Sequence, residues 1–350
     1  MSRALLLIAA ALAFASPARA ADAQFRDWWA ACDEQRTCWA FGFAPEDRPG
    51  EAFVRIERSG AANAEPVVLL GVFDEGRPGS PLRVRVDYAE PPGFRLDLPT
   101  RASDDSPHKL AEVRERGAAR SLIAAVRQGA ALKLRYGSGE EAQVSLDGAT
   151  AALLWMDEQQ RRVGTTTALV RTGPRLAANV PAVPTQAAVR AGPMMVQTAV
   201  PETWPRFVAA QPEVRACLSE IQNEFARTPV NARLDARTIL WGVPCSQGAY
   251  NTSYEFFLGD AAGAGWRRAE FFNGRKREPA DFALVNAAFE GSTMTLSAFS
   301  KGRGLGDCGE VSRWTWDGRR FVLTEQSVMR VCRGVPSEFW PTVRNVAVTR

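Results

Sequence analysis

Six cysteines, a lone histidine and one glycine-rich loop are the parts of this chain whose residue types could do chemistry. Cys32, Cys38, Cys217, Cys245, Cys308 and Cys332 form no CxxC pair, and His108 is the sole histidine. The ligand spacing of a zinc site and that of a thioredoxin-like redox centre are both missing. No metal site and no cofactor follow, because a P-loop, an EF-hand loop and a G-x-S-x-G elbow are absent too. An even cysteine count behind an export signal implies disulfides. The expected pairing is sequential: Cys32–Cys38, Cys217–Cys245 and Cys308–Cys332. In the chain-entropy account the small first ring contributes about 2.4 kcal/mol and each larger loop about 3.5 kcal/mol.

His108 sits in the polar stretch SDDSPHKL and reads as an exposed loop residue. Ser106 to Lys109 matches S-x-x-K, but the partner motifs S-D-N and K-T-G of penicillin-binding enzymes are missing, so the match is read as chance. Lys301-Gly302-Arg303-Gly304-Leu305-Gly306-Asp307-Cys308-Gly309 is the most unusual loop. Its amides could form an anion-binding nest assisted by Lys301 and Arg303, or its glycines could serve a tight turn beside a disulfide. Asp307 and Glu310 flank Cys308 and could converge as a carboxylate pair, whereas the adjacent Asp157 and Glu158 must diverge on a helix. Trp314 and Trp316, two apart on a strand, share a face that could stack on a sugar or fill a core. The candidate ligand loop is therefore Lys301, Arg303, Asp307, Glu310, Trp314 and Trp316. No catalytic residue is assigned.

The elements that must position these residues are mostly strands. Residues 25–32 and 38–43 read as a hairpin closed by the Cys32–Cys38 bridge. Trp29, Ala31, Trp39, Phe41 and Phe43 fall on one face, and Trp28, Ala30, Ala40 and Gly42 on the other. Further strands are expected over 52–58, 66–73, 82–88, 94–98, 132–136 and 142–146, with helices over 118–128 and 149–162. Residues 173–203 carry Pro174, Pro181, Pro184, Pro193 and Pro201 without apolar periodicity, and read as an extended linker. Beyond it, Val214, Leu218, Ile221 and Phe225 are spaced for one helix face. Strands are expected over 238–243, 253–258, 266–272, 282–289 and 293–299, and a hairpin turns at Asp317-Gly318. The expected fold is mainly β with minor α: a signal peptide at 1–20, a β-sandwich-like domain at 21–172, a Pro-rich linker at 173–203 and a disulfide-stapled, β-rich α+β domain at 204–350.

Arg3, the apolar run Ala4 to Ala15 and Ala18-Arg19-Ala20 make a secretory signal with cleavage before Ala21. The run is too short for a membrane span, and a periplasmic or secreted location is expected. The formal net charge is +4, carried by 4 lysines and 39 arginines against 39 acidic residues. That balance gives no case for nucleic-acid binding.

Several stretches together resemble the bacterial domain-of-unknown-function family 1176: CDEQRTCWAFGF near the mature start, SLDGATAALLWMDEQQRRVGTTTALV before the Pro-rich segment, and GLGDCG, WTWDG and CRG near the end. Residues 25–170 are also similar to the invasion-associated locus B family, through FRDWWAACD and the stretch Leu122 to Leu146 followed by DG. The first resemblance implies export and six cysteines but no activity; the second implies an envelope or host-surface role. The expected function is that of an exported, non-catalytic protein binding an envelope component or another protein. The alternatives are an envelope hydrolase using Asp307 or Glu310, and an inhibitor of a secreted enzyme such as lysozyme that presents loop 301–309.

Overall fold

The computed structural model describes residues 20–75, 79–91, 97–103, 106–197 and 200–350. The expected hairpin forms with Cys32 opposite Cys38 and Trp28 opposite Gly42. A side chain at position 42 would meet the Trp28 indole at 2.6 Å, so glycine there makes room for the ring. The strand expected over 25–32 is in fact two, Ala21–Phe25 and Trp28–Cys32, folded on each other. The chain reverses at Arg26, whose φ of 51° ends the first strand.

These strands open a seven-stranded sheet that continues through Cys38–Phe43, Ala52–Arg58, Val67–Phe73, His108–Val113 and Arg101–Ala102. A four-stranded sheet, including Leu82–Val86, Ala131–Tyr136 and Glu141–Ser145, packs against one face of it. The helices Arg116–Val126 and Ala149–Gln159 complete that layer. Trp28, Ala30, Ile56, Leu70, Leu122, Leu134 and Met156 form its shared core. The expected strand 94–98 falls mostly outside the described residues; Asp97–Leu98 is paired.

The DEQQRRVGTTTALV stretch folds back as a buried polar latch. Arg58 reaches Asp157 at 2.6 Å, Gln160 at 2.7 Å and the Thr167 carbonyl at 2.9 Å. Asp157 also accepts from the Leu169 and Val170 amides. The Arg58, Asp157 and Gln160 side chains all have hydrogen-bond partners, which is the condition under which buried charge is tolerated.

Residues 204–350 build two more sheets. Val230–Arg233, Ile239–Gln247 and Thr252–Gly259 lie in one, and Thr295–Lys301, Gly309–Trp316 and Phe321–Met329 in the other. Leu240, Phe256, Leu296, Trp314 and Phe321 pack between them. Helix Pro212–Glu220 covers the remaining face through Val214 and Cys217. It stops one turn before the apolar spacing suggests, because Ile221 turns extended and the Arg227 guanidinium takes the Ile221 carbonyl. The strand expected over 282–289 is broken at Asn286, whose φ is 48°. The strand expected over 266–272 is likewise two short pieces, Arg267–Arg268 and Phe271–Phe272.

The second face of the seven-stranded sheet is not left to solvent. Trp29, Trp39, Phe41, Phe43, Phe53 and Leu110 are covered by Val328, Met329, Val335, Phe339, Trp340 and Val343 from the end of the chain. Phe53 meets Phe339 at 5.9 Å between ring centroids. The strand Phe321–Met329 gives Phe321 and Leu323 to one core and Val328 and Met329 to this one, with register shifts on both sides of it. Residues 173–197, whose regular structure is limited to the short helix Ala177–Asn179 and the strand Ala188–Arg190, are tied to both halves. Arg36 donates to the carbonyls of Pro181 and Ala182, Ala188–Arg190 pairs parallel with Ala347–Thr349, and the Gly192 amide donates to the Trp316 carbonyl.

Asp33 closes the disulfide hairpin by accepting from the Thr37 amide at 2.6 Å. Burial pushes its carboxyl up to about 6, more than that bond and its neighbours lower it. A folded-state value above the unfolded one stabilises the fold below the unfolded value and loses that contribution as pH rises through the folded one. Asp33→Asn, which keeps the acceptor and removes the charge, should raise the thermal midpoint at pH 7.5. The gain should fade towards pH 4, read by circular dichroism melts across that range.

Candidate functional site

The joint between the halves opens at one end into a cleft of about 490 Å³. Pro49, Gly50 and Glu51, Phe73, and Ser106 to His108 form its wall from the first half. Phe299, Lys301, Arg303, Leu305 to Asp307, Gly334, Pro336 and Ser337 form it from the second. Two stretches singled out by sequence, SPHK and KGRGLGDCG, thus meet across the joint although almost 200 residues separate them. The volume is that of an ordinary small-ligand site. At its floor the backbones touch: Gly50 and Gly334 both have positive φ, 89° and 82°. A Cβ on Gly334 would lie 2.3 Å from the Gly50 Cα. Only glycine fits both the conformation and the approach.

Loop 301–309 is rigidly rooted. The Cys308–Cys332 bridge anchors it, and the Asn251 side chain brackets the Lys301 backbone, accepting from its amide and donating to its carbonyl. The Gly302 amide donates to the Cys308 carbonyl and the Gly306 amide to the Arg303 carbonyl. These amides are used within the loop, so the anion nest does not form from them. Arg303 grips both Asp307 oxygens, at 2.7 and 2.5 Å, and the Gly334 amide donates to Asp307 at 2.7 Å. Burial alone would push the Asp307 carboxyl up; the Arg303 and Gly334 bonds outweigh it and hold it below its ordinary value. Asp307 fastens the glycine-rich loop to the Gly334 turn within the second half.

His108 is not an exposed loop residue. It opens the strand His108–Val113 and is 4% exposed. Phe53 and Phe73 stand edge-on to its ring at 5.6 and 5.7 Å. Pairing with Val67–Phe73 draws it inward, since His108 lies opposite Phe73. Burial lowers its pKa, the Gly50 backbone partly offsets this, and the Lys109 charge adds to the lowering. Burial thus favours the neutral ring. Its Nδ1 lies 2.9 Å from Ser106 Oγ, which donates to Ser103 Oγ, and Ser103 donates to Glu338. Nε2 makes no hydrogen bond of normal geometry. Among the described residues no carboxylate holds the ring, so the orienting member of a Ser-His-Asp arrangement is missing.

The remaining candidates lie elsewhere. Glu310 and Trp314 border two shallow depressions on the far side of the sheet, beside Phe282. Glu310 therefore does not share a wall with Asp307. Trp314 and Trp316 are 3% and 2% exposed and pack on Phe271 and Phe321 in the core. Lys301 and Arg303 do face the cleft. Cys217, Cys245 and Glu255 lie within metal-binding reach of one another, but the two sulfurs are bonded to each other and cannot serve as thiolate ligands. The Cys32–Cys38 bridge lies in the first core. Sequence reasoning missed Phe73 and Leu305, which are 48% and 80% exposed. A leucine inside a glycine-rich loop was the available signal for the second.

No helix among the described residues is long and apolar enough to cross a membrane. The model of a family described as "Protein of unknown function (DUF1176)" matches residues 22–347. The chain is 29% identical over 376 residues to the uncharacterized protein YpfG of Escherichia coli (strain K12), covering 96% of this chain and 95% of that relative. No solved structure matches. These matches lend no support to the resemblance to the invasion-associated locus B family.

Gly334→Ala should push the halves apart at the cleft floor. The expected loss is about 1–3 kcal/mol, the range for overpacking and for backbone strain. Urea unfolding of the oxidised protein measures it, and Gly318→Ala is the control, since position 318 also has positive φ but open space around it.

Proposed function

We infer, from the premise that this chain belongs to the DUF1176 family of proteins of unknown function, that it is an exported, non-catalytic binding protein whose ligand site is the cleft at the joint. Three disulfides suit an oxidising compartment. The strand Ala21–Phe25 begins at the expected cleavage point, which agrees with a signal peptide ending at Ala20 and a periplasmic or secreted mature chain.

The observation that carries the reading is the composition of the cleft wall. Its candidate acid, base and nucleophile are committed: Asp307 is held by Arg303 and the Gly334 amide, Ser106 by His108 and Ser103, and burial disfavours the charged form of His108. Phe73 and Leu305 are instead large apolar side chains left exposed at the rim, a feature of binding surfaces. The hydrolase reading loses its carboxylate pair, since Asp307 is occupied and Glu310 faces another side. One observation favours a second reading, inhibition of a secreted enzyme. Leu305 stands at the tip of a disulfide-anchored loop, which costs little ordering entropy on binding.

A thermal-shift panel of muropeptides, envelope polysaccharides, amphiphiles and lysozyme tests both. Ligand at about 100 times its Kd should stabilise the protein by about 2.7 kcal/mol. Leu305→Glu should leave the unliganded protein within about 0.5 kcal/mol of wild type, because the side chain is exposed, and should abolish the shift. A shift that survives Leu305→Glu unchanged contradicts the cleft as the site. A shift confined to lysozyme selects the inhibitor.

A further inference from the structure

Resting on that reading of the cleft, we propose that its ligand is a monomeric single-chain amphiphile with one anionic head, the chain lying between Phe73 and Leu305 and the head on Lys301. The walls supply the first half of the argument. Phe73, Phe299, Leu305, Pro49, Pro107 and Pro336 present apolar surface, and Gly50, Gly306 and Gly334 leave room between them. A chain placed there removes the exposed Phe73 and Leu305 from water, at about 25 cal/mol per Å² of apolar surface.

Charge supplies the second half. Among the described residues, the ion pairs at the cleft are Arg303–Asp307 and Arg48–Glu51, and each is internally balanced. Lys301 enters neither. Its ammonium lies 5.5 Å from the centre of the Phe299 ring, with no carboxylate partner among the described residues. Its backbone is fixed on both sides by Asn251, which roots the side chain at the edge of the cleft. A neutral His108 adds no second positive charge on the opposite wall. One unpaired cation above an apolar slot is complementary to one anion on an apolar chain. Among the described residues, the two carboxylates lining the cleft, Asp307 and Glu51, are each paired with an arginine, so a zwitterion or a dication would meet no free carboxylate on these walls. A recess of about 490 Å³ between the two walls has room for one chain, whereas a bilayer presents a flat surface.

The test is calorimetric titration of the oxidised mature protein with dodecanoate at pH 8, below its micellar concentration. Dodecyl maltoside, dodecyltrimethylammonium and acetate serve as probes of chain and head. Dodecanoate should bind, weaken with salt, and lose at least tenfold in affinity in Lys301→Met, which keeps the apolar stem. Dodecyl maltoside should bind more weakly than dodecanoate and be indifferent to that change. Leu305→Glu should abolish binding of both, while thermal melts confirm that each variant is folded. Equal binding of all three dodecyl probes, or an unaltered affinity in Lys301→Met, overturns the anionic head but leaves the cleft as a binding site. Dodecanoate binding untouched by Leu305→Glu overturns both the proposal and that reading. No binding of dodecanoate overturns the proposal, and so does pelleting with phosphatidylglycerol vesicles at concentrations where the monomer does not bind.

Discussion

The outer face of the seven-stranded sheet fixes everything else in this protein. Alternation along Trp28–Cys32 and Cys38–Phe43 sends Trp29, Phe41 and Phe43 to the side away from the first core. Fully burying aromatic side chains of this size is worth roughly 1.5–3 kcal/mol each, so the face must be covered. The last quarter of the chain covers it, with Phe339 and Trp340 at the centre and the Trp340 indole satisfied by the Val335 carbonyl. The polar ties sit around this layer: Arg55 to the Phe339 carbonyl, Arg333 to Ala44 and Glu46, and Arg344 and Arg275 to Glu34. The cleft is where the layer runs out and backbone meets backbone at Gly50 and Gly334.

Seen this way, most residues that looked chemical are fasteners. The three disulfides pin a hairpin, a helix and a loop. Asp157, inside the stretch that carried the family resemblance, and Arg58, at the end of a strand, lock a helix to that strand with no water access. Asp307 and Arg303 hold the glycine-rich loop against the Gly334 turn. At the cleft, among the described residues, the Lys301 cation and the exposed apolar side chains of Leu305 and Phe73 are left around one opening.

Much of the local fold was legible. Period-two alternation gave the faces of the tryptophan hairpin, and Gly42 opposite Trp28 followed from register alone. The cysteine pairing followed from proximity in sequence. The failures have a common physical origin in long-range pairing. His108 looked exposed because SDDSPHKL is polar, yet pairing with Val67–Phe73 buries it. Strands over 25–32 and 282–289 read as continuous because Arg26 and Asn286 give no local warning of a left-handed turn. Helix 212–220 stops early because Arg227, seven residues past its end, takes a carbonyl at the break. The cleft itself was only half legible. Its loops stood out singly, but nothing in one sequence says that Gly50 touches Gly334, or that Asp307 is occupied and Lys301 is not.

The central claim is that the shared aromatic layer makes the two halves one cooperative unit, with the cleft as its rim. Differential scanning calorimetry of the oxidised protein, wild type and Trp340→Ala, tests it most directly. The account predicts a single wild-type transition whose calorimetric and van't Hoff enthalpies agree. It predicts that the substitution costs about 3–5 kcal/mol and splits the transition into two. Two separate transitions in the wild type, with Trp340→Ala shifting only the one that belongs to residues 204–350, would contradict it.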